Sequence, residues 1–529
     1  MQRQDLPLFA IFLGFVSVAM LVPMAQAALL GDWRVARAFL FCGLFTAFAA
    51  ATLGVALGRR QSGTVQTELA TLVALWFIVP VFAAQPILMI TPQIGGIGAW
   101  FEMVAAFTTT GGTVYSDPEA VAGPIHLWRG IISWLGGFLT LMAAYVVMAP
   151  RRLGGFEVTA SVGLEDPSEG RSRLVTLGAA TPPAMSRSMR AMRAILPVYT
   201  GMTAALILIF EAFGESALTS VVHAAAIVST SGISPNAGGL AASDNIGVEM
   251  VAAVFMVLCA TRLLYDKASQ VGSVKKWHQD EELRLMALLV ALASAALFLR
   301  HWYGALTTEE ALDTSADALR ALWGTLFTAL SYITTTGFES ASWIAARDWS
   351  GLANPGLILL GLCAVGGGAA TTAGGIKLIR AHALMRHGFR EVERIAQPNG
   401  VVGVGSGLRG VLREGAFIAW AFVMLFAGAV FAVMLALAAF GDLSFEEALI
   451  ASLSALTNTG PAFSVALEGV RDFALLGDAE RIILAAAMVL GRIEILGLIA
   501  LFNTDAWRTP SRSAKTAGKQ RRDETVSRW

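Results

Sequence analysis

The chain contains 529 residues, of which 56% are hydrophobic and only 14% are charged. Soluble domains carry about 25% charged residues, so this composition excludes a water-soluble globular protein. Lys plus Arg and Asp plus Glu number 38 each, and this balance gives no indication of a nucleic-acid partner. A mean hydropathy of +0.64 predicts an all-α protein that crosses a membrane many times.

Apolar runs of about 20 residues, separated by helix breakers, predict about ten transmembrane helices. The first run, 8–30, exceeds the apolar core of a signal peptide, so we expect it to be retained as a span. Ten crossings return both termini to one side, and assigning that side to the cytoplasm places most Lys and Arg inside. The predicted spans are 8–30, 38–57, 69–90, 127–149, 194–213, 247–265, 283–300, 354–381, 414–440 and 481–503.

The same topology places more Asp and Glu than Lys and Arg on the outer side. An acidic vestibule of this kind concentrates cations. Any single residue is equally well explained as a solvated loop charge, so only the sum is informative. The outer carboxylates include Asp117, Glu119, Glu309, Glu310, Glu446, Glu447 and Asp472.

After the first two spans, the chain repeats one pattern four times: a span, a short apolar segment, a loop and a second span. Segments of 9 to 15 residues are too short to cross a bilayer, which predicts re-entrant helices. A capping-box pattern at 444–447 fixes the N-terminus of the fourth segment at the outer edge. The predicted short helices are 99–107, 217–228, 319–333 and 445–456.

The predicted fold is therefore an N-terminal helix hairpin followed by four pseudo-symmetric repeats. Each repeat consists of a helix, a short re-entrant helix, a loop and a helix. The three cysteines lie in apolar stretches without metal-binding spacing, which argues against a disulfide framework or a zinc site. The predicted units are the transmembrane hairpin 1–62, pore repeat 1 at 63–155, a cytoplasmic linker 156–190, pore repeats at 191–278, 279–395 and 396–504, and a basic cytoplasmic tail 505–529.

Each predicted pore helix is followed directly by a hydroxyl-rich tripeptide and a glycine. A cation sheds its water inside a membrane only where a ring of oxygens, such as backbone carbonyls, replaces its hydration shell. Glycine permits the backbone angles that this requires, and the negative ends of four helix dipoles would stabilise the ion. One such loop is an ordinary turn, but four in matching context predict a pore. The loops are Thr108-Thr109-Thr110-Gly111, Ser229-Thr230-Ser231-Gly232, Thr334-Thr335-Thr336-Gly337 and Thr457-Asn458-Thr459-Gly460.

These loops, together with the segments 366–377 and 491–494, resemble the Trk/Ktr/HKT superfamily of potassium transporters. The resemblance covers nearly the whole chain and is closest to the bacterial TrkH-type transmembrane subunit. It implies that each repeat is a helix, a pore helix, a filter loop and a helix, arranged around a central pore. It also implies a potassium-selective filter, potassium as the transported ion, no cofactor and no enzymatic activity. The filter residues that it implies are Thr109, Thr110, Gly111, Thr230, Ser231, Gly232, Thr335, Thr336, Gly337, Asn458, Thr459 and Gly460.

A run of Gly, Ala and Thr at 366–375 lowers the helix propensity inside the eighth predicted span. Close packing of small residues between helices is the alternative explanation. The resemblance implies that this run is an intramembrane loop obstructing the pore, although Ala370 stands where the family usually has glycine. The gate residues that it implies in this loop are Gly366, Gly367, Gly368, Thr371, Thr372, Gly374 and Gly375.

Arg492 lies near the middle of the last predicted span, where a guanidinium must face water, a partner or the pore. Facing the pore, it would repel potassium. The alternative is a pair with a carboxylate of a neighbouring helix; Glu494 is poorly placed for this because residues two apart on a helix do not face each other. The resemblance implies that Arg492 is an electrostatic part of the gate.

The function implied is potassium uptake across a bacterial inner membrane, driven by a membrane potential that contributes about 2.3 kcal/mol per charge per 100 mV. The resemblance further implies a homodimer and a cytosolic TrkA-like nucleotide-binding ring that docks on the basic cytoplasmic segments. A sodium-permeable or sodium-coupled relative remains an alternative. An intramembrane hydrolase or a proton-coupled solute carrier is disfavoured, because the span centres are nearly free of charge apart from Arg492 and Glu494.

Overall fold

The computed structural model describes residues 8–57, 65–149, 184–265, 280–305, 315–396, 406–469 and 471–494. Within these ranges the regular structure is entirely helical, which confirms the predicted all-α membrane fold. The helices are α1 (Leu8–Ala19), α2 (Leu21–Leu29), α3 (Trp33–Leu57), α4 (Val65–Ile90), α5 (Gly95–Phe107), α6 (Gly123–Met142), α7 (Ala184–Ala212), α8 (Ala217–Ser229), α9 (Ile246–Cys259), α10 (Glu281–Ala305), α11 (Ser315–Ile333), α12 (Trp343–Ser350), α13 (Gly356–Val365), α14 (Leu378–Ala396), α15 (Ser406–Phe440), α16 (Phe445–Leu456), α17 (Pro461–Ala466) and α18 (Asp478–Ile493).

Seven segments of the described chain are long and apolar enough to cross a membrane. The three other predicted spans contain shorter helices: α9 with 14 residues, α13 with 10 and α18 with 16. The span predicted at 354–381 is interrupted because Gly366, with φ +76°, ends α13. The span predicted at 481–503 extends beyond the described residues, which end at 494.

The N-terminal hairpin, α1 to α3, packs against the first repeat. Ser17 donates its hydroxyl to the Gly43 carbonyl at 2.9 Å and so joins α1 to α3. Phe39 of α3 lies edge-on to Trp128 of α6, with ring centroids 5.9 Å apart. The hairpin therefore packs directly on the helices of the first repeat.

Each repeat contains one short helix, of 12 to 19 residues, at the position that the sequence pattern predicts. The short helices are α5, α8, α11 and α16, and their C-terminal halves are buried within the described chain. In α5, every side chain from Phe101 to Phe107 is at most 1% exposed. Such burial places the ends of these helices in the centre of the molecule, where the loops that follow them meet.

The fourth short helix begins with the capping box that its sequence predicts. The hydroxyl of Ser444 accepts from the Glu447 amide at 3.3 Å, and the Glu447 carboxylate accepts from the Ser444 amide at 2.8 Å. The amide of Ser444 lowers the pKa of Glu447, and Arg471 adds to this effect. The resulting stabilisation is present above the ordinary pKa of a glutamate and is lost as the pH falls through the lowered value.

We expect Ser444→Ala to lower the free energy of unfolding by about 1 kcal/mol, because it removes this N-terminal cap. Thermal unfolding of the protein in detergent at neutral pH measures the effect. Glu446→Asp, at the exposed neighbouring position, keeps the negative charge in the first turn of α16, so it serves as the control and should leave the melting temperature unchanged. Equal melting temperatures for all three proteins would show that the cap contributes nothing.

Candidate functional site

All four pore helices end in the same backbone motif. The third residue of each tripeptide donates its N–H to the carbonyl five residues earlier, at 2.8–3.0 Å, and the second donates to the carbonyl three residues earlier, at 2.9–3.2 Å. This pair of bonds defines the Schellman motif, which ends a helix with one left-handed residue. Those residues are Thr109, Thr230, Thr335 and Asn458, with φ between 50° and 57°.

The left-handed conformation is unusual at three of these positions because threonine is β-branched. A Schellman motif normally carries glycine there, and a non-glycine residue in a sparsely populated region costs about 1–3 kcal/mol. Such conformations persist where the surrounding structure over-determines them, and they cluster at functional sites. The fourfold recurrence therefore marks these loops as the candidate functional site.

The glycines bring the four loops into contact in chain order. A Cβ atom on Gly111 would overlap the carbonyl oxygen of Ser231, and one on Gly232 would overlap the carbonyl oxygen of Thr336. A Cβ atom on Gly337 would lie 2.9 Å from Cγ of Pro461, and one on Gly460 would lie 2.7 Å from the carbonyl oxygen of Thr110. Each loop thus touches the next, and the fourth touches the first. The loops form a closed ring, and only glycine fits at these contacts.

The fourth loop departs from the other three. Gly460 has φ −56° and precedes α17, whereas the glycines of the first three loops have φ between 64° and 83°. Its amide donates to the Thr110 carbonyl at 2.6 Å. Nδ2 of Asn458 donates to the Thr110 hydroxyl at 3.0 Å and to the Met488 carbonyl at 2.8 Å. The fourth loop is therefore hydrogen-bonded to the first.

In every tripeptide, the hydroxyl groups of the first and third residues bond to each other within the loop. The first and third side chains of each tripeptide lie within hydrogen-bond distance, as pairs Thr108–Thr110 (2.8 Å), Ser229–Ser231 (3.2 Å), Thr334–Thr336 (3.1 Å) and Thr457–Thr459 (3.5 Å). These bonds hold the side chains against the loops. The backbone carbonyls are therefore the better candidates for ligands of a dehydrated cation.

Residues 366–377 form a buried, non-helical loop between α13 and α14. The amides of Ile376 and Lys377 donate to the carbonyls of Ala364 and Val365 at 3.0 and 2.9 Å, so the two ends of the loop are held together. Ala370, where the family usually has glycine, adopts φ +57°. The alanine thus takes a left-handed conformation that glycine adopts without strain.

This loop lies directly against the C-terminal ends of the pore helices. The Gly374 amide donates to the Thr335 hydroxyl at 2.8 Å, and the Thr372 hydroxyl donates to the Val228 carbonyl at 3.4 Å. A Cβ atom on Gly374 would overlap the carbonyl oxygen of Thr457. The loop therefore contacts repeats 2, 3 and 4 at one end of the ring.

Arg492 joins the same loop to repeat 1. Its guanidinium donates to the Thr372 carbonyl, to the Thr108 carbonyl and to the Thr109 hydroxyl, and it reaches the Thr109 carbonyl at 3.3 Å. It lies one residue before the end of α18, nearer the helix terminus than its sequence position indicated. The positive charge at these carbonyls is therefore the Arg492 guanidinium itself, and the carbonyls of Thr108 and Thr109 lie at the negative end of a helix dipole.

Glu494 does not pair with Arg492. Its carboxylate binds Arg380 of α14 at 2.7 Å, and the Arg380 guanidinium lies 3.8 Å from the centroid of the Phe422 ring. The loop 366–377 is therefore followed by a helix that a buried ion pair holds in place. Arg492, in contrast, makes its described contacts to carbonyl and hydroxyl oxygens.

The sequence pattern did not single out Glu102, which lies on the first pore helix. Its carboxylate forms a fully buried ion pair with Arg129 of α6, at 2.5 Å. It also accepts from the Val114 amide at 2.8 Å, three residues beyond the glycine of the first loop. The sequence signal that could have identified Glu102 is that it is the one carboxylate in the otherwise apolar segment 95–107.

Comparisons with known proteins agree with this architecture. The family model of TrkH, described as a cation transport protein, matches residues 36–508. The Trk system potassium uptake protein TrkI of Halomonas elongata is 26% identical over 82% of both chains, and TrkH of Vibrio parahaemolyticus is 26% identical over 96% of this chain and 99% of its own.

The fold is also that of a solved structure. The crystal structure of the potassium transporter TrkH from Vibrio parahaemolyticus matches with a TM-score of 0.76 at 23% identity, over 96% of this chain and the whole of that chain. The matching relatives are named as transport proteins, in agreement with the prediction that the chain is not an enzyme. Since the family model spans most of the sequence, the chain belongs to the TrkH family of cation transport proteins.

Proposed function

We propose that the chain takes up potassium across a bacterial inner membrane through the ring of four loops. The closed contact of Gly111, Gly232, Gly337 and Gly460 with successive loops is the observation that carries the proposal. Relatives that cover nearly the same length are named potassium uptake proteins, which supports this choice of ion. In this proposal, potassium is bound by the filter residues that the sequence pattern identifies.

The geometry of the ring supports cation selectivity on physical grounds. Four helix C-terminal ends carry partial negative charge and converge on it, and carbonyls held in fixed loops replace water around a bare ion. No covalent step is required. The membrane potential drives the ion inward.

We further propose that the loop 366–375 and Arg492 form the gate. The loop lies against the ends of three pore helices, and the guanidinium binds both this loop and the first filter loop. Opening then requires the loop and the guanidinium to separate from the carbonyls. A fixed positive charge beside the ion path raises the energy of an arriving potassium ion until it moves.

Regulation by a cytosolic nucleotide-binding ring and assembly as a homodimer are parts of the same proposal. In this proposal, both termini of the chain lie on the cytoplasmic side of the membrane. The helix α14 continues directly from the gate loop, and its second half exposes Arg394 and the apolar side chains of Phe389, Val392 and Ile395. A protein bound to α14 would therefore act on the loop through a continuous helix. The basic segments predicted to dock the ring are 150–193, 377–413 and 508–529, of which 150–183, 397–405 and 508–529 lie outside the described residues.

Complementation tests the proposal directly. We expect a bacterium that lacks its own potassium uptake systems to grow on low potassium when it expresses the chain, and to fail with an empty vector. In liposomes, the purified protein should carry potassium faster than sodium. Equal rates would favour the sodium-permeable or sodium-coupled alternative, and flux that requires a proton gradient would favour a carrier. No growth and no flux, with the protein present in the membrane, would reject the proposal.

A further inference from the structure

One position on each pore helix recurs at the same distance from the filter. It lies nine residues before the glycine of the loop that follows. In the first three repeats this position carries a polar side chain that is at most 1% exposed, and in the fourth it carries alanine. The residues are Glu102, His223, Thr328 and Ala451.

Each polar member bonds to the segment just beyond the filter of its own repeat. We define the post-glycine segment as the residues two to four positions after the filter glycine, at 113–115, 234–236 and 339–341. In repeat 1, the Glu102 carboxylate accepts from the Val114 amide at 2.8 Å and from the Thr113 hydroxyl at 3.1 Å. Arg129 balances its charge.

Repeat 2 uses an imidazole for the same contact. Nε2 of His223 lies 2.9 Å from the hydroxyl oxygen of Ser234, and the hydroxyl accepts from the Asn236 amide at 3.0 Å. The edge-to-face contact of the His223 ring with Phe338, at 5.5 Å, reaches the residue directly after the glycine of the third loop. One side chain therefore supports two neighbouring loops.

Repeat 3 uses a hydroxyl, and a carboxylate from the neighbouring repeat reinforces it. The Thr328 hydroxyl accepts from the Ser340 amide at 3.3 Å. Glu249 of α9, in repeat 2, accepts from the Ser340 hydroxyl at 2.8 Å and from the Ala341 amide at 2.6 Å. The post-glycine segment of the third loop is thus held by the second and third repeats together.

Repeat 4 has no polar group at this position, and its loop has a different conformation. Where the support is present, the glycines have φ values of 77°, 64° and 83°, and the chain continues as a non-helical segment. At Ala451 the support is missing, Gly460 has φ −56° and α17 begins at once with Pro461. The polar contact and the left-handed glycine therefore occur together.

We propose that Glu102, His223 and Thr328 are positioning residues that set the ion selectivity of the filter. They do not touch the ion; they hold the loops at fixed spacing from behind. A ring that is free to contract can coordinate a smaller ion, so loss of this support admits sodium. This inference rests on the proposed filter function and adds residues that determine its specificity.

The test compares two substitutions on the helix α11. Thr328→Val keeps the shape of the side chain but removes the acceptor for Ser340, and we expect it to lower the potassium-to-sodium flux ratio in liposomes about threefold or more. Thr325→Val is the matched control, because the buried Thr325 hydroxyl donates to the Leu322 carbonyl of its own helix, at 2.9 Å, and to no other group of the described residues. Thr328→Ser restores the hydroxyl and should restore the ratio.

Ser234→Ala provides an independent test in repeat 2, where it removes the partner of His223. A lowered ratio in Thr328→Val and Ser234→Ala, with normal ratios in Thr325→Val and Thr328→Ser, supports the proposal. The proposal is overturned if the flux ratio is unchanged in both Thr328→Val and Ser234→Ala, or if Thr325→Val lowers the ratio as much as they do. Gly337→Ser is measured in parallel to distinguish failure of this inference from failure of the proposed filter. A loss of selectivity in Gly337→Ser alone rejects the positioning residues but leaves the filter assignment standing. No loss of selectivity in any variant rejects the filter itself.

Discussion

Gly337→Ser is expected to lower the potassium-to-sodium flux ratio by about tenfold or more. The backbone at Gly337 has φ +83°, and a Cβ atom would lie 2.9 Å from Cγ of Pro461 in the next loop. A side chain at this contact forces the third and fourth loops apart and changes the spacing of their carbonyls. A difference of about 1.4 kcal/mol between the two ions corresponds to this tenfold change.

Gly351→Ser is the matched control for this experiment. Gly351 also has a left-handed backbone, with φ +58°, but nothing lies within 4 Å of a Cβ atom there. Both variants therefore introduce the same strained residue, and only one affects the ring. Potassium and sodium uptake into liposomes, at equal protein amounts, measures the ratio. An unchanged ratio in Gly337→Ser would contradict the assignment of the filter.

Arg492→Ala is expected to raise basal potassium flux about tenfold or more when no regulatory partner is present. The substitution removes hydrogen bonds from a charged donor to the carbonyls of Thr108 and Thr372. Bonds of this kind contribute about 1.5–3 kcal/mol each, so losing even one of them shifts the closed–open equilibrium by at least that factor. In the proposed gate, it also removes the positive charge that an incoming potassium ion would meet.

Two further substitutions make this experiment specific. Arg481→Ala removes an arginine from the same helix, α18, at a site where the guanidinium donates to the Ala474 carbonyl at 3.0 Å and lies 3.6 Å from the Asp478 carboxylate. It should leave basal flux unchanged. Arg492→Lys keeps the charge but has fewer and differently directed donors, so we expect intermediate flux. Flux in Arg492→Ala that equals or falls below that of the unmodified chain would remove Arg492 from the gate.

Elements that depend on local pattern could be predicted from the sequence. The short helices follow from apolar segments too short to cross a bilayer, and Ser444 and Glu447 identify the start of α16 to the residue. Boundaries were less accurate where a helix begins with polar residues. The helix α11 starts at Ser315, four residues before the predicted segment 319–333, because a segment placed by hydropathy leaves out a polar residue such as Asp317.

Contacts between distant parts of the chain could not be predicted in this way. Arg492 reaches Thr108, which is 384 residues away, and the Glu102 carboxylate acquires its partner only when α5 and α6 pack together. Hydropathy placed Arg492 near the middle of a span, whereas the described helix ends one residue after it. Local periodicity carries no information on which loops touch, so the closure of the ring required the structure.

The hydrogen bond between the Gly460 amide and the Thr110 carbonyl has a consequence for how the protein is made. It joins the first loop to be synthesised to the last, across 350 residues of chain. A nascent polypeptide that has inserted three repeats therefore lacks this contact. In the proposed function, the ion pathway is completed only when the final quarter of the chain has entered the bilayer.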